Sequence, residues 1–512
     1  MSFRQDRTNP STAVSQWRGR SATPKAWPST RVSTWQNGGL FGGASTPSWV
    51  MEVIAATAAG SYASFYINDV KSNPHDGKTY ISGFWDNHYA SGFEKDYGPL
   101  VGKLNDDGTA GLEWWTMGWY NSTTYRAIGQ YQQLSFAPGS SDVYYASRFE
   151  RGSTGCMWAR FNDSGTLQNA TNAYTFPGGG GLMKIATDGT NVIQVGNGTV
   201  SGYTRFIGVR WPYDSANAAA TDGRYAYSNW TSGVEGSIDG CTYYTNGGTG
   251  HAYCMARDYN GYVGTLMKVP MDASNMDIAA LTGIGAAGVM AAKGDGDNTG
   301  GLSFGAYPTF FGMISASTPS ISWDKTLTAS SGSVNISTNT APHIDTDGNV
   351  YVFGKDDSKG FIIKLDSSGT VLWQRWLTVA TGAGSDTSEI YSVGTSQDGA
   401  TVYATMYVSS LQYGGSGATK FPRMMVWKIN ADGSDDGSAT VDNSSGTGSG
   451  DTDVFTIAAS SITVNAGSVS VAAWSTPSGG GASPSHQSDA VQITTPWSGN
   501  SNLPVLASEE IA

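Results

Sequence analysis

The chain has 512 residues, a formal net charge of −12 and a charged fraction of only 14%, which is well below the usual content of globular proteins. Glycine is abundant, at 68 residues, and aromatic residues make up 12%. This composition favours an extracellular or virion β-protein over a cytosolic enzyme. A predominantly acidic chain also disfavours nucleic-acid binding, which depends on cationic surfaces.

The first 47 residues differ from the rest in charge and composition. They carry six Lys or Arg residues against Asp6, so this segment holds about +5 and the remainder about −17. They also contain three tryptophans, whereas disordered tails usually lack tryptophan. Aromatic and Arg side chains are the usual anchors of interfaces. We therefore predict an extended basic anchoring arm over residues 1–47, with the contact residues Trp17, Arg18, Arg20, Trp27, Arg31 and Trp35. The alternative is an arm that packs on the chain's own fold, for example as a closing strand.

Beyond residue 47, one unit recurs along most of the chain. It consists of a short strand, a polar break, a second strand and a turn of the form Asp/Asn-x-x-Gly, often followed by Trp. The clearest copy spans residues 343–373, HIDTDGNVYVFGKDDSKGFIIKLDSSGTVLW. Seven copies align on turn positions that lie 45–64 residues apart, namely Gly108, Gly165, Asp214, Ala273, Thr318, Gly369 and Gly433. A four-stranded sheet with its loops needs roughly 40–50 residues.

Repeats of this length and type predict an all-β fold, a β-propeller over residues 48–475. We expect seven blades of four-stranded antiparallel sheets, with extended N- and C-terminal arms. Each copy cannot bury both faces alone, and stacking copies around an axis buries them. A β-sandwich or β-solenoid is the alternative fold, and six or eight blades are the alternatives to seven.

The C-terminal part is predicted to hold further contact elements. Residues 453–474 indicate two more strands and are candidates to complete one blade with strands from both chain ends. Residues 476–487, TPSGGGASPSHQ, indicate a flexible linker. We therefore interpret residues 476–512 as a linker followed by a contact segment with Trp497 and the apolar residues 503–506.

Cysteine content and hydropathy limit the cellular locations that are expected for this protein. Cys156, Cys241 and Cys254 lack metal-ligand spacing. Cys241 and Cys254 can pair across a hairpin, although buried free thiols are the default. The chain start lacks the apolar run of a signal peptide, and no stretch reaches the length of an apolar transmembrane span. We expect the protein to be synthesised in a cytoplasm and then either to stay soluble or to be incorporated into an assembly.

Residues with catalytic or metal-binding chemistry are few. None of the five histidines lies in a metal motif. Glu113 adjoins Trp114 and Trp115 and could line a sugar groove, so glycoside hydrolysis stays a minor alternative. The segment 345–349, DTDGN, places acidic residues at alternating positions, but it falls where the other copies have a turn and Val350 replaces the glycine of a calcium loop. We interpret it as a turn, and expect no catalytic residues, metal or cofactor.

Aromatic and polar residues crowd three segments, 83–98, 113–125 and 224–233. Such mixtures make amphipathic contact surfaces for glycans or proteins. The candidates are Trp85, Trp114, Trp115, Trp119 and Trp230. The alternative is that many of these rings fill the spaces between blades.

The segments IIKLDSSGTVLWQRWL (362–377) and VWKINADG (426–433) resemble repeats of bacterial propeller families, including the pyrroloquinoline-quinone type, in which a strand ends in K-x-D-x-x-G-x-x-x-W. That resemblance implies the fold and gives no basis for a quinone site. In architecture, the whole chain also resembles structural proteins of tailed bacteriophages, especially those of marine cyanobacteria. There, propeller-like chains occur in tails, nozzles and fibres.

These observations lead us to expect a non-enzymatic virion structural protein, of a tail or a tail appendage such as a nozzle, fibre or tip. The propeller would be a spacer or a host-facing module. Its expected partners are other virion proteins, reached through the N-terminal arm, further copies in a ring or trimer, and in one version a host-surface glycan. Neither nucleic acid nor a membrane span is expected. The alternatives are a capsid-decorating protein and a surface propeller that binds carbohydrate or hydrolyses glycosides.

Overall fold

The structure is a computed structural model, and it contains only β-strands and turns in the residues it describes. Within that part of the chain no helix is long and apolar enough to cross a membrane. The described residues are 2–6, 28–33, 49–55, 61–73, 75–89, 95–104, 112–121, 125–128, 134–151, 153–170, 174–175, 184–200, 203–212, 224–227, 238–246, 248–258, 263–273, 277–281, 288–292, 302–306, 309–315, 320–327, 333–336, 342–357, 359–377, 388–396, 398–412, 420–441, 454–456, 462–465, 468–476, 487–494 and 506–507.

Three strands precede the first complete sheet, and the first three sheets then follow in chain order. The early strands are β1 (Ser2–Asp6), β2 (Pro28–Ser33) and β3 (Trp49–Ala55). Sheet 1 contains β4 (Ser61–Ser72), β5 (Thr79–Tyr89), β6 (Lys95–Leu104) and β7 (Leu112–Asn121). Sheet 2 contains β8 (Tyr125–Ile128), β9 (Leu134–Phe136), β10 (Val143–Arg151), β11 (Ser153–Phe161), β12 (Leu167–Ala170) and β13 (Tyr174–Thr175). Sheet 3 contains β14 (Lys184–Thr187), β15 (Asn191–Val200), β16 (Tyr203–Pro212) and β17 (Arg224–Tyr227).

Sheets 4 to 7 continue the same order. Sheet 4 contains β18 (Ile238–Asn246), β19 (Thr249–Asp258), β20 (Val263–Pro270) and β21 (Asp277–Leu281). Sheet 5 contains β22 (Gly288–Ala292), β23 (Leu302–Ala306), β24 (Phe310–Ser315) and β25 (Ser320–Thr326). Sheet 6 contains β26 (Val334–Ile336), β27 (His343–Ile344), β28 (Val350–Asp356), β29 (Lys359–Leu365) and β30 (Val371–Leu377). Sheet 7 contains β31 (Ser388–Thr395), β32 (Thr401–Gln412), β33 (Lys420–Asn430) and β34 (Asp435–Val441).

An eighth sheet, which we call the closing sheet, combines both ends of the chain. It contains β35 (Val454–Thr456), β36 (Ile462–Asn465), β37 (Ser468–Thr476) and β38 (Gln487–Thr494). β2 and β3 join it because β3 pairs with β38 in antiparallel register. The last described strand, β39 (Leu506–Ala507), pairs with the outer strand β30 of sheet 6.

Each of the seven predicted repeats lies in one of sheets 1 to 7. In six copies the two predicted strands are the middle strands of the sheet, as β28 and β29 show for the clearest copy. The fifth copy, predicted over residues 310–327, instead covers the third and fourth strands of sheet 5, β24 and β25. The middle strands are buried on both faces, with every residue from Gly360 to Leu365 buried. Sheets 3, 4, 5 and 7 are the predicted four-stranded antiparallel sheets, while sheets 1, 2 and 6 and the closing sheet contain five or six strands. The described strands thus form one sheet more than the seven repeats.

Neighbouring sheets contact each other in chain order, and the last sheet contacts the first. The first strands lie side by side in the series β4, β9, β14, β18, β22, β27, β31 and β36, and β36 contacts β4. Apolar clusters fill the spaces between sheets. One joins Phe311 of sheet 5 to Ile363 and Trp376 of sheet 6, and another joins Tyr351 of sheet 6 to Trp427 of sheet 7. This arrangement is of the β-propeller type, because burial occurs between successive sheets rather than within one central layer.

The terminal segments differ from the predicted free arms. Residues 1–47 contain β1, which pairs with β7 of sheet 1, and β2, which pairs with β3. Residues 476–512, predicted as a linker and contact segment, contain β38 between β3 and β37. The physical reason is that exposed strand edges favour further pairing. The described parts of both termini thus belong to the chain's own sheets, and residues 453–474 supply strands of the closing sheet, as expected.

In the described part of the chain, the side chains of Trp114, Trp323 and Trp373 each hydrogen-bond one sheet to a turn of the next sheet. Nε1 of Trp114 donates to the Asp163 carbonyl, at 2.8 Å. Trp323 donates to Ser367 and Trp373 to Ala431, both at 2.9 Å. Each acceptor lies in the turn between the third and fourth strands of the following sheet.

The receiving turns need glycine for two reasons. Gly369 and Gly433 have φ of 85° and 82°, a region that residues with a Cβ enter only at a cost. In addition, a Cβ on Gly433 would lie 2.9 Å from Cδ2 of Trp373. The Asp/Asn-x-x-Gly sequence therefore shapes the turn and leaves room for the neighbouring indole.

We expect Gly433→Ala to destabilise the protein by about 2–4 kcal/mol, because left-handed strain and collision with the indole add together. Gly139→Ala is the matched control, since Gly139 has φ of 70° and no atom within 4 Å of an added Cβ. That control should lose only about 1 kcal/mol. Denaturant unfolding of the two variants measures both effects, and equal losses would contradict the proposed contact.

Candidate functional site

Strand alternation places the connections of each sheet at two opposite ends. The turns after the first and third strands share one end, which we call the turn end. The connection after the second strand and the link to the next sheet share the other, which we call the loop end. Described turns at the turn end are closed by backbone hydrogen bonds, for example from Gly369 to Asp366 and from Gly348 to Asp345, both at 3.0 Å.

The most developed cluster of charged side chains lies at the turn end, between sheets 1 and 2. Lys103 of β6 is fully buried, and its Nζ lies 2.7 Å from Asp163 Oδ1 and 2.7 Å from Glu113 Oε2. Nζ of Lys78 lies 3.2 Å from the other Asp163 oxygen. Trp114 covers the same turn through its bond to the Asp163 carbonyl. The cluster therefore joins the outer part of sheet 1 to the turn that follows β11.

Asp76 lies in the turn before β5, close enough to Lys78, Lys103 and Asp163 for their charges to affect its pKa. The pKa values of Asp76 and Asp163 are shifted in opposite directions. For Asp163, burial alone would raise the pKa, but the hydrogen bonds and charges of Lys103 and Lys78 outweigh it and lower the pKa. Burial raises the pKa of Asp76, and the nearby Asp163 carboxylate adds to the rise. The Oδ2 atom of Asp76 is buried and has no hydrogen-bond partner.

A catalytic pair of one acid and one base needs two carboxyl groups whose pKa values are shifted in opposite directions. The contacts of Asp163 nevertheless argue against a catalytic role for this pair. Both Asp163 oxygens contact lysine ammonium groups, so the carboxylate is held rather than free to attack a sugar. Glu113, predicted as a possible groove residue, contacts the same buried Lys103. The ion pairs and hydrogen bonds of this cluster therefore connect sheet 1 to sheet 2.

Loss of both carboxylates should cost more than the two single losses together. We expect Glu113→Gln and Asp163→Asn each to leave Lys103 one acidic partner, whereas the double variant leaves the buried ammonium with neither carboxylate. The double variant should exceed the summed single effects by about 1–2 kcal/mol. A double-mutant cycle by denaturant unfolding measures this excess. Strict additivity would show that Lys103 does not couple the two acids.

A second position of interest is the buried turn at Asp345. Its Oδ1 accepts from the backbone of Asp347 and Asn349, at 3.0 and 2.8 Å. Its Oδ2 accepts from Asn349 Nδ2 and Tyr351 Oη, at 2.8 and 3.0 Å. Both oxygens are thus used within the turn, which accords with the turn interpretation of DTDGN. In the described ranges, no group of three His, Cys, Asp or Glu side chains is placed to hold a metal ion.

His343 begins β27 beside this turn. Its Nε2 lies 2.8 Å from Oγ1 of Thr395 in sheet 7, and its ring lies 5.8 Å from that of Tyr351. Burial lowers the pKa of His343 to about 4, and the Asp345 carboxylate opposes this only in part. The folded protein therefore holds a neutral imidazole between sheets 6 and 7.

Acid should weaken the fold through His343. The unfolded chain binds a proton below the ordinary value of 6.5, whereas the folded chain binds it only near pH 4. Stability is therefore lost as pH falls from about 6.5 towards 4. We expect His343→Gln to reduce this loss by roughly 1–3 kcal/mol between pH 7 and pH 4.5. Unfolding curves across that range measure it, and identical pH dependence in both proteins would contradict the assignment.

One recurring cation was missed in the sequence interpretation. A Lys or Arg occupies the same place in the third strand of six sheets, at Lys103, Arg160, Arg210, Lys268, Lys364 and Lys428. In five of them the cross-strand partner is tyrosine, at Tyr80, Tyr144, Tyr253, Tyr351 and Tyr403. Cations lie 5.3–6.0 Å from the ring centroid in three pairs. Alignment of the repeats places these cations at equivalent positions, so they could have been predicted from the sequence.

The predicted contact tryptophans occupy different places. Trp114 is only 2% exposed and packs with Tyr80 and Phe161. It therefore fills the space between sheets, as the structural alternative held, and offers no face to a glycan. Trp115 is half-buried. Trp85 and Trp119 lie in the parts of β5 and β7 nearer the loop end, with side chains outside the described set, and Trp230 lies outside it altogether.

The predicted arm residues lie mostly outside the described part of the chain. Trp17, Arg18, Arg20, Trp27 and Trp35 fall there. Arg31 lies in β2, where its backbone pairs with Glu52 of β3. The predicted arm is therefore divided between strands of the protein's own sheets and intervening segments.

No family model matches the sequence, and no curated protein matches it. Similar solved structures include the WD40 domain of SCAP from fission yeast, with 11% identity, a TM-score of 0.38 and coverage of 91% of this chain and 98% of that one. A periplasmic gluconolactonase from Pseudomonas aeruginosa has 13% identity, a TM-score of 0.36 and coverage of 75% and 99%. Prolyl oligopeptidase B from Galerina marginata has 10% identity and a TM-score of 0.37, with 72% of this chain covered. The match spans 56% of the peptidase's length. At these scores, none of the three indicates an activity.

Proposed function

We propose that the chain is a non-enzymatic structural protein of a tailed-phage virion, in the tail or a tail appendage. In this proposal the eight sheets of the described residues form the blades of one propeller, and the closing sheet completes the ring with strands from both chain ends. The observation that carries this proposal is the use of described polar and aromatic side chains to fasten one sheet to the next.

The case for a rigid module comes from where these contacts lie. Trp114, Trp323 and Trp373 bond successive sheets, and the buried Lys103 ties sheet 1 to sheet 2. Pairing of β3 with β38 joins chain ends that are more than 400 positions apart. Neighbouring sheets that are bonded to each other, and chain ends that pair in one sheet, make a rigid module. Such a module suits a spacer in a particle, because a spacer must keep its shape.

Contacts with other molecules are assigned to the loop end and to the segments that adjoin β1 and β2. Loops on a rigid scaffold usually carry binding residues, and Trp85 and Trp119 lie on strands that lead to the loop end. Residues 7–27 and 34–48 contain Trp17, Arg18, Arg20, Trp27 and Trp35. These segments are the proposed anchors to neighbouring virion proteins and to further copies in a ring or trimer.

Deleting residues 1–40 is a poor test of anchoring, because it also removes the paired strands β1 and β2. We expect the triple variant Trp17→Ser, Arg18→Ser, Arg20→Ser to keep the unfolding midpoint of the parent and to fail to enter particles. Leu372→Ser is the control, since Leu372 is an exposed apolar side chain on sheet 6. Particle composition measured by mass spectrometry tests this, and normal incorporation of the triple variant would contradict the anchor.

Immunogold labelling of intact particles tests the location. Label confined to tails supports the proposal, and label over heads would favour the capsid-decorating alternative. If the protein is absent from particles and the isolated monomer binds glycans on an array, the proposal is contradicted and the carbohydrate-binding alternative is favoured.

A further inference from the structure

Two cysteines of sheet 4 face each other across neighbouring strands. Cys241 on β18 and Cys254 on β19 are direct partners in the antiparallel register, and their sulfur atoms lie 2.7 Å apart. Both are free thiols. Direct cross-strand partners hold their Cβ atoms about 4.5–5.5 Å apart, close to the separation that a disulfide needs.

We propose that Cys241 and Cys254 form a redox-responsive pair, which a low-molecular-weight disulfide such as oxidised glutathione converts into a cross-strand disulfide. Nothing in the repeat pattern requires cysteine here. At the equivalent place in the first and second strands, Val70 faces Ile81 in sheet 1 and Val393 faces Ala404 in sheet 7, so other side chains serve in equivalent pairings.

The two thiols differ in access, which sets the order of reaction. Cys254 is fully buried in the apolar cluster between sheets 3 and 4, beside Met267 and Ala252. Burial, reinforced by Cys241, raises the pKa of Cys254. Cys241 packs on the edge of that cluster and is half-buried. Cys241 is therefore the entry point for an external reagent.

The exchange proceeds in two balanced steps. The Cys241 thiolate attacks one sulfur of oxidised glutathione, forming a mixed disulfide and releasing one glutathione thiolate. Cys254 then loses its proton and attacks Sγ of Cys241, which forms the protein disulfide and releases the second glutathione thiolate. The protein loses two electrons and two protons, and one glutathione disulfide becomes two glutathione thiols.

The disulfide would act on a strand that contacts both neighbouring sheets. β18 is the first strand of sheet 4 and contacts β14 of sheet 3 and β22 of sheet 5. The two cysteines are 13 positions apart, and closing a loop of this size restricts the unfolded chain. Oxidation should therefore raise the thermal midpoint of the whole protein by about 2–4 °C.

The test uses the full chain, purified with a reductant and then treated with oxidised glutathione under native conditions. The protein is then unfolded in the presence of an alkylating reagent and digested with trypsin. We expect the peptide 225–257 to carry no alkyl group and to be lighter than the reduced peptide by two hydrogen atoms. Cys156 provides an internal control, because it lies on β11 of sheet 2 in a separate peptide and should be alkylated. Cys156→Ser should behave like the parent.

Cys241→Ser and Cys254→Ser separate the proposal from its alternatives. Each should abolish the midpoint shift, and Cys254→Ser should retain glutathione on Cys241 as a stable mixed disulfide. Full alkylation of both thiols after oxidation of the parent would overturn the proposal. A mixed disulfide on the parent that never resolves would also overturn it, since Cys254 would then be an inert core thiol.

Discussion

The hydrogen bond from an outer-strand indole to the turn of the next sheet is the interaction on which this architecture depends. A twisted four-stranded sheet has two apolar faces and cannot bury both by itself. Trp114, Trp323 and Trp373 solve this by crossing to the neighbouring sheet, where each N–H meets a turn carbonyl. The turn must present that carbonyl and also leave room for the ring. Glycine at a positive φ meets both needs, so one four-residue sequence fixes both the turn and the packing between sheets.

Closing the series of sheets uses the ends of the chain. β38 lies between β3 and β37, so residues from both ends share one sheet. β1 and β39 extend sheets 1 and 6 at their outer strands. Terminal strands used in this way are unavailable as free arms, which limits the proposed anchors to the segments that adjoin them. The loop end remains the part of the fold where sequence can vary without disturbing the turn-end contacts.

The repeat pattern predicted the middle hairpins of sheets 1 to 4, 6 and 7, because their strands are buried and end in a recognisable turn. The sequence predicted two strands within residues 453–474 that complete a blade with strands from both chain ends, and kept eight blades as an alternative to seven. It did not reveal that β3 pairs with β38, because these strands are too far apart in sequence for local patterns to show their pairing. Trp114 illustrates a further limit: within GLEWW its exposure cannot be deduced, and the structure places it against Tyr80 and Phe161. The cation opposite tyrosine could have been found, because Lys364 and Lys428 occupy equivalent positions in the two clearest copies. The partners of Lys103 could not, since Asp163 comes from the next sheet.

A cross-link between the chain ends tests the closed arrangement most directly. Met51 and Ala490 are direct partners of β3 and β38, so Met51→Cys and Ala490→Cys, in a chain without its three native cysteines, place two thiols side by side. Closure within one chain predicts an intramolecular disulfide that forms at every protein concentration and raises the unfolding midpoint. Disulfide-linked dimers, or two thiols that stay free under oxidation, would contradict it.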